Sequence, residues 1–534
     1  MKTTLRPWFI GQILLISLGV RAETYDLIIR HGRIVDGTGN PAWFGDVAVN
    51  NGRIAALGRI VGEARREIDA THLIVAPGFI DVHTHADDVA QFPLAENFVR
   101  MGVTTVVVGN CGGSALDIGK LFRDIEATNV SINVASLIGH GTVRSRAMGG
   151  SFDRPPTSDE LAKMKAMVEQ GMKDGSVGLS TGLIYLPGTF AKTDEIIELA
   201  KVASAYDGIY ASHMRDEGKG IFNSLDEVFR IAREAHIRAE VSHIKLSGNS
   251  SWGQADKVIA ALERARAEGL DITEDEYAYD ASSTGISQLV PEAAREGGHA
   301  KFLERLDDPA QKTAMIEKMH ASLKNNGRKD YSYAVVAEYK HDKSLDGLSI
   351  PEAANAKFGS EDLDKQIEMI LDIEKYGGAQ GVFHGIDEDD LQQFMRFPNT
   401  MIASDSGSRE FGVGVPHPRG YGNNARVLAR YVRELHVLRL EDAIRRMTTL
   451  PAATFRLKDR GQLREGNWAD IAIFDPATVQ DNATYKDPHH YATGIPYVLV
   501  NGVEVVKDGE HTKARPGQAL RHIGRANGGL TAQP

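Results

Sequence analysis

The stretch APGFIDVHTHADD, residues 76–88, decides the fold assignment. It begins as an apolar run and ends in two histidines one residue apart, His83 and His85, which two aspartates follow. Side chains at positions i and i+2 of a β-strand point to the same side, so a strand over residues 76–85 would project both imidazoles in one direction. The spacing therefore predicts a pair of metal ligands, and a pair of buried, hydrogen-bonded histidines is the alternative.

Similar apolar runs with polar or glycine-rich ends recur along the middle of the chain. They alternate with segments whose apolar residues are three and four positions apart, a spacing typical of amphipathic helices. Eight such runs are found, in the order LIVAPGFIDVHTH, TTVVVGNCG, INVASLIGHG, SVGLSTGLIY, GIYASHMRD, AEVSHIKLSG, DITEDEYAY and NTMIASDSG. Eight strands with intervening helices predict an α/β fold, a (β/α)8 TIM-like barrel.

The two ends of the chain have a different pattern. Short alternating runs with Asn-Gly turns occupy residues 23–74 and again residues 460–534, and they predict strands that pair into one small β-sandwich. The barrel is predicted between them, over residues 75–459. An insertion at about 285–398 separates the seventh run from the eighth, and a segment of that length is typical of a lid or an oligomer contact.

Residues 1–22 have the pattern of a secretory signal peptide. Lys2 and Arg6 precede an apolar stretch, and VRA at residues 20–22 resembles a cleavage site. The apolar stretch is shorter than the roughly 20 residues that a membrane-spanning helix needs. We therefore expect a periplasmic or secreted protein that has no membrane association after signal cleavage.

Charge and composition exclude some classes of binding partner. The 534 residues carry a formal net charge of −11, and no long run of Lys or Arg is present. Nucleic acids and anionic membranes attract basic surfaces, so neither is expected as a partner. We expect a small-molecule substrate, and a homo-oligomer stays open because the insertion could form contacts between copies.

Metal-binding residue types gather at the predicted carboxyl ends of the strands, where barrel enzymes hold their active sites. They are His83 and His85 after the first strand, Cys111 after the second, His213 after the fifth, His243 after the sixth and Asp405 after the eighth. Burying these groups at one mouth is costly unless something binds them. Thiolate and imidazole ligands favour zinc, whereas magnesium or calcium would call for carboxylates. The alternative for Cys111, the only cysteine, is a buried inert thiol.

Five motifs in fixed order carry a family resemblance. They are PGFIDVHTHAD, GNCG, ASHMRDEG, SHIKLSG and ASDSGS…HPRGYGN, and together they span most of the chain. By these motifs the sequence resembles the N-acyl-D-amino-acid deacylases (D-aminoacylases) of the amidohydrolase superfamily. The resemblance implies zinc-dependent hydrolysis of the amide bond of N-acyl-D-amino acids, which releases a carboxylate and a free D-amino acid. The fourth run, GLSTGLIY, lacks the lysine that is typical of hydantoinases and dihydroorotases, and this disfavours a cyclic-amidase function.

The resemblance also implies the roles of individual residues. It implies one tightly bound zinc ion at Cys111, His213 and His243, and a second, weaker metal position near His83, His85 and Asp405. For the substrate's α-carboxylate it implies Lys245, Tyr277, Ser283 and Arg419, with Tyr279 as a rival to Tyr277.

Asp405 is predicted to take a proton from the attacking water and to give it to the departing amine, a two-way role that suits a carboxylate beside cations. The alternative is that it only positions a histidine or a metal. Arg215, Asp216 and Glu217, in the loop after His213, either support the ligands or are simple loop charges. Two other functions stay open: an amidohydrolase that acts on dipeptides or other amides, and a catalytically inactive metal-binding homologue.

Overall fold

The computed structural model describes residues 24–524. The predicted signal peptide lies outside these residues, as do residues 525–534, so the export signal stays a prediction. Among residues 24–524, no helix combines the length and the apolar character needed to cross a bilayer.

Eight parallel strands form a nearly closed barrel, as the sequence predicts. They pair in chain order, so that β1 and β8 are the two edges of the sheet. Their bounds are Phe79–Asp81 (β1), Val103–Val108 (β2), Asn133–Gly139 (β3), Gly178–Gly182 (β4), Ile209–His213 (β5), Arg238–Val241 (β6), Ile272–Glu276 (β7) and Thr400–Ile402 (β8). β2, with the sequence VTTVVV, is buried throughout, which is typical of a parallel strand covered on both faces.

The barrel closes just beyond the ends of β1 and β8. There Thr84–His85 pairs in parallel with Ser406–Gly407. The backbone amide of Ser404 donates to both carboxylate oxygens of Asp81, at 3.0 and 3.1 Å. The contacts that join the two edges therefore lie beside the predicted ligands of the first and eighth strands.

Amphipathic helices cover the barrel. In the helix Ile221–Ala235, for example, Leu225, Val228 and Ile231 are buried at helical spacing. A capping box between Thr157 and Glu160 fixes the start of another helix. The α-helices outside the insertion are Glu96–Val99, Ile118–Thr128, His140–Met148, Ser158–Lys173, Thr193–Ala205, Ile221–Ala235, Ala255–Ala267, Glu388–Arg396, Arg419–Arg426, Leu440–Met447 and Thr449–Thr454, and a π-helix spans Val427–Glu434.

The insertion after β7 has its own secondary structure. Ala281–Gly285, Gln380–His384 and Ala334–Glu338 form, in that order, a three-stranded antiparallel sheet. Five helices pack with it: Glu292–Arg295, His299–Asp307, Pro309–Asn325, Ile350–Phe358 and Leu363–Lys375. A separate hydrophobic cluster lies under these elements, so the insertion is ordered by its own core.

The N- and C-terminal segments pair into one nine-stranded, largely antiparallel sheet. From one edge to the other its strands are Glu510–His511, Val503–Lys507, Tyr497–Val500, Ile471–Phe474, Ile74–Pro77, Leu27–Ile34, Trp43–Asn50 and Arg53–Gly58, and Glu67–Asp69 also pairs with Leu27–Ile34. The pairing of the two ends in one sheet, separate from the barrel, confirms the prediction that the N- and C-terminal segments form a small β unit together. The domain bounds drawn from the sequence stay predictions.

The prediction of one strand over residues 76–85 is wrong, because the structure divides this segment between two sheets. Ile74–Pro77 belongs to the nine-stranded sheet, and the barrel strand begins only at Phe79. Gly78 joins the two sheets, and a Cβ at this position would lie 2.3 Å from the side chain of Thr104. The chain therefore changes sheets at a residue where only glycine fits. His83 follows the end of β1, and His85 lies in the closing strand pair.

Candidate metal centre

Cys111 lies at the centre of a group of three imidazoles. Its Sγ atom is 3.3 Å from Nε2 of His83, 3.7 Å from Nδ1 of His213 and 3.7 Å from Nε2 of His243. His213 is the last residue of β5, and the other three follow β1, β2 and β6, so four separate parts of the chain meet at one mouth. Ligand atoms of Cys111, His83 and His243 all lie within 4.8 Å of one another.

A second ligand group adjoins the first. Nε2 of His85 is 3.1 Å from Oδ1 of Asp405, and Nε2 of His83 is 3.6 Å from the same oxygen. Ligand atoms of these three residues again lie within 4.8 Å of one another. The six predicted metal ligands thus form two adjoining groups, and His83 takes part in both.

Three of these residues have a left-handed backbone conformation. The φ angles are 52° at Cys111, 36° at His243 and 51° at Asp405. Such a conformation costs about 1–3 kcal/mol at a residue with a Cβ, and it persists where the surrounding structure enforces it, often at functional sites. Gly182 helps to hold this arrangement, because a Cβ there would lie 2.1 Å from the carbonyl oxygen of Cys111.

The electrostatic surroundings keep Cys111 and Asp405 ionised. Burial alone raises the pKa of Cys111, but the charge of His83 and hydrogen bonds from His213 and His243 outweigh burial and hold this pKa well below its usual range. Burial likewise raises the pKa of Asp405. The charge of Arg419, whose Nη1 lies 3.0 Å from Oδ2 of Asp405, lowers it well below its usual range together with the neighbouring histidines.

Glu217 supports the cluster from behind. Its two oxygens lie 2.9 Å from Nδ1 of His243 and 2.7 Å from Nζ of Lys245. Burial opposes its ionisation, but the charges of Lys245, His213 and His243 lower the pKa of Glu217 below its usual range. A carboxylate on the far nitrogen of an imidazole fixes the ring's orientation and tautomer. Of the two roles open for Glu217, the geometry favours support of the ligands.

Asp275 is a supporting residue that the sequence analysis does not identify. Its Oδ2 lies 3.3 Å from Nδ1 of His83, and its Oδ1 accepts a hydrogen bond from the backbone amide of His243 at 3.0 Å. It lies in β7, in the run DITEDEYAY, where the three consecutive acidic residues Glu274, Asp275 and Glu276 are all buried. This run of acidic residues in a predicted barrel strand could have identified Asp275 from the sequence, because buried carboxylates need partners inside the barrel.

The predicted substrate-binding residues surround the same mouth. The Tyr277 hydroxyl is buried and has no hydrogen-bond partner among the described residues, whereas the Tyr279 hydroxyl donates to Asp481 at 2.8 Å. The guanidinium carbon of Arg419 lies 4.6 Å from the centre of the Tyr277 ring. The geometry therefore favours Tyr277 over its rival.

Ser283 and Lys245 already have partners inside the protein. Ser283 lies in the insertion sheet and donates to the carbonyl of Gly381 at 2.9 Å. Nζ of Lys245 donates to the carbonyl oxygen of His243 at 2.9 Å and lies 2.9 Å from Nδ1 of the same residue, as well as pairing with Glu217. Lys245 therefore also contacts His243 and Glu217, and it is not available to a substrate alone.

Two cavities meet above the cluster. A cleft of about 1140 Å³ is lined by Cys111, His85 and Arg419, among others. A smaller cavity of about 190 Å³ is lined by His213, His243, Lys245 and residues of the insertion. Both include Tyr185, Ser283, Thr284 and Asp405 in their walls. A substrate could therefore occupy both cavities across the cluster.

The donor set fits a zinc ion. One thiolate and several imidazoles match the ligands that zinc prefers. Nδ1 of His213 and Nε2 of His243 each lie 3.7 Å from Sγ of Cys111. Burying a thiolate among imidazoles is costly in a site that binds nothing, and a bound cation would offset that cost.

Comparisons with known proteins agree with this geometry. The model of the family described as "Amidohydrolase family" matches residues 66–506. The D-aminoacylase of Alcaligenes xylosoxydans xylosoxydans is 34% identical over 526 residues, which cover 93% of this chain and 98% of that protein. The crystal structure of N-acyl-D-glutamate deacylase from Bordetella bronchiseptica, complexed with zinc and a phosphonate inhibitor, is 33% identical with a TM-score of 0.80 and covers 93% and 100% of the two chains. A D-aminoacylase structure described with a binuclear metal centre is 32% identical with a TM-score of 0.78 and the same coverage.

Replacing Glu217 with glutamine should weaken zinc binding by about 10- to 100-fold, as loss of a carboxylate behind a metal-binding histidine usually does. The substitution removes the partner of His243 and the counter-charge of Lys245. Competition with a chromophoric chelator measures the affinity. Glu263→Gln, which changes an exposed carboxylate on the helix Ala255–Ala267, is the matched control. Equal affinities in the two variants would show that Glu217 is only a loop charge.

Proposed function

The chain belongs to the amidohydrolase family, and from this premise we propose that it is a zinc-dependent hydrolase of N-acyl-D-amino acids. The products are a carboxylate and a free D-amino acid. The observation that carries the proposal is the convergence of the Cys111 sulfur with the nitrogens of His213 and His243, beside an ionised Asp405. Relatives that match nearly the whole chain are a D-aminoacylase and an N-acyl-D-glutamate deacylase, and these support both the reaction and the D configuration.

The proposed metal ligands divide as the family resemblance implies, and His83, which contacts both groups, is counted with the second. Cys111, His213 and His243 would hold the tightly bound zinc ion. His83, His85 and Asp405 would hold a second, weaker metal. When bound, zinc supplies a Lewis acid that polarises an amide carbonyl and lowers the pKa of water.

Asp405 is the residue that moves the proton. Its carboxylate is ionised, buried and directed at the cluster, so it can accept a proton from water at the barrel mouth and then protonate the departing amine. Its ion pair with Arg419 limits its basicity while no substrate is present. A substrate α-carboxylate that binds Arg419 would weaken this pair and make Asp405 a better base when the substrate is in place.

Substrate positioning depends on the groups around Arg419. Its Nη2 donates to the carbonyl oxygen of Ser283 at 3.3 Å, and its guanidinium lies over the ring of Tyr277. These contacts hold the planar guanidinium in one orientation, which suits a two-point bond to a carboxylate. The unpartnered Tyr277 hydroxyl offers a further donor at the same place. Lys245 adds positive charge, which Glu217 balances.

Metal removal tests the proposed function directly. We expect the chelated protein to lose hydrolysis of a panel of N-acetyl-D-amino acids and to regain it with one equivalent of zinc, because the site's electrophile is the metal. The panel includes the L-enantiomers and dipeptides, and amine release is followed together with elemental analysis. A zinc-reloaded protein that hydrolysed no D-substrate would contradict the proposal, and cleavage of dipeptides alone would support the alternative amidohydrolase.

Asp405→Ala should lower kcat/KM by about 10²- to 10⁴-fold, the usual effect of losing a general acid–base group. The tightly bound zinc should stay, because Cys111, His213 and His243 are unchanged. Kinetics and zinc content are measured on the same preparation, and Asp389→Asn, an exposed carboxylate, is the control. Activity close to that of the unaltered protein would remove Asp405 from the proton-transfer role.

We propose as well that the protein is exported. Lys2 and Arg6 ahead of an apolar stretch, with Ala22 at the predicted cleavage point, support this part of the proposal. Cell fractionation followed by N-terminal sequencing should find a chain that begins at Glu23 in the periplasm or the medium. A chain that keeps residues 1–22 and stays in the cytosol would contradict export.

A further inference from the structure

Lys245 and Ser283, two of the residues predicted to bind the α-carboxylate, line the smaller cavity, which we therefore call the amino-acid pocket. Arg328, Tyr333 and Phe383 of the insertion also line it. Its volume of about 190 Å³ leaves room for a single side chain. Arg419 lines the larger cleft, where the two cavities meet, and the rest of that cleft is left for the acyl group.

The two carboxylates that line this pocket each have a cationic partner. Glu217 pairs with Lys245 at 2.7 Å, and Asp405 pairs with Arg419 at 3.0 Å. Arg328 has no such partner: within residues 24–524, no carboxylate oxygen lies within 4.0 Å of its guanidinium. The pocket therefore contains one guanidinium whose charge the protein does not balance.

Arg328 is held in place without being neutralised. Its Nη2 donates to the carbonyl oxygen of His384 at 3.3 Å, and its guanidinium carbon lies 3.5 Å from the centre of the Tyr333 ring. A Cβ on Gly385 would lie 2.5 Å from the same Nη2, so the glycine leaves space for the guanidinium. Stacking on an aromatic ring fixes the plane of the guanidinium and leaves its other N–H groups for a ligand.

Burial gives this arrangement an energetic cost. The pKa of Arg328 is lowered by its burial, and no carboxylate offsets the loss of hydration. Arg328 is half-buried, and a partly desolvated cation without a counter-charge is less favourable in the free protein than one with an anion in the pocket. A carboxylate fits best, because its two oxygens match the fork of a guanidinium.

We propose that the amino-acid pocket selects substrates whose D-amino acid has an acidic side chain, and that Arg328 binds the side-chain carboxylate. This inference rests on the proposed function and narrows it to N-acyl derivatives of acidic D-amino acids. Leu289 and Phe383 provide apolar walls for the methylene groups between the α-carbon and that carboxylate. The insertion thus supplies the specificity, and the barrel supplies the chemistry.

The test compares N-acetyl-D-glutamate with N-acetyl-D-glutamine, which has nearly the same shape and no charge. We expect kcat/KM to favour the acid by about 10- to 100-fold, as a hydrogen-bonded charge pair usually does. In Arg328→Met, which keeps an unbranched apolar stem, this preference should disappear, mainly through a higher KM for the acid. Activity on the glutamine derivative should fall much less than activity on the acid, because the charge pair is lost only with the acid and the metal ligands do not contact Arg328. Lys329→Gln removes an exposed charge one residue away and should leave the preference intact.

A binding measurement separates selectivity from turnover. Calorimetric titration of the zinc-loaded protein with D-glutamate and D-glutamine should show the same preference and the same loss in Arg328→Met, and thermal unfolding checks that the variant is folded. A preference that survives in Arg328→Met, or an unaltered protein that prefers the amide, overturns this inference. Hydrolysis of neutral N-acyl-D-amino acids alone overturns it and leaves the proposed function standing. Hydrolysis of no N-acyl-D-amino acid contradicts both.

Discussion

The contact between the Cys111 thiolate and the imidazoles of His83, His213 and His243 is the interaction on which the barrel mouth depends. A thiol buried among apolar groups would stay neutral and inert. Here the charge of His83 and the hydrogen bonds of the other two rings favour the thiolate in spite of burial. In return the thiolate stabilises positive charge next to it, and that charge can be protons or a metal ion. The arrangement requires four segments of the chain to end at one point, which a parallel barrel provides.

The rest of the site maintains this contact. Asp275 and Glu217 contact Nδ1 of His83 and Nδ1 of His243. These contacts fix the orientation of both rings, so that their Nε2 atoms point at the sulfur. Left-handed backbone at Cys111, His243 and Asp405 stores strain that the surrounding strands must offset. The closure of the barrel between β1 and β8 lies at the same point, so the pairing that completes the fold also brings His85 to Asp405.

The sequence predicts the architecture and the convergence of the candidate ligands because both have a periodic or positional signal. Alternating strand and helix patterns indicate the barrel, and each ligand directly follows an apolar run. The division of the first run at Gly78 has no such signal, since it depends on the side chain of Thr104 in the neighbouring strand. Tyr277 and Tyr279 are two residues apart, so the sequence cannot decide which of them binds the substrate. The hydrogen bond from Tyr279 to Asp481 distinguishes them, because it is seen only in the structure. Arg328 comes from an insertion without barrel periodicity, so its place in the pocket follows only from the three-dimensional fold.

The most direct test of this account is zinc K-edge X-ray absorption on the zinc-loaded protein and on its Cys111→Ser variant. If the thiolate binds the metal, the unaltered protein will show one sulfur scatterer at about 2.3 Å together with lighter scatterers at about 2.0–2.1 Å, the usual distances for zinc bound to cysteine and histidine. The sulfur signal will be absent from the variant. A spectrum of the unaltered protein with nitrogen and oxygen scatterers alone would contradict the account, because Cys111 would then be a buried thiol beside the metal rather than one of its ligands.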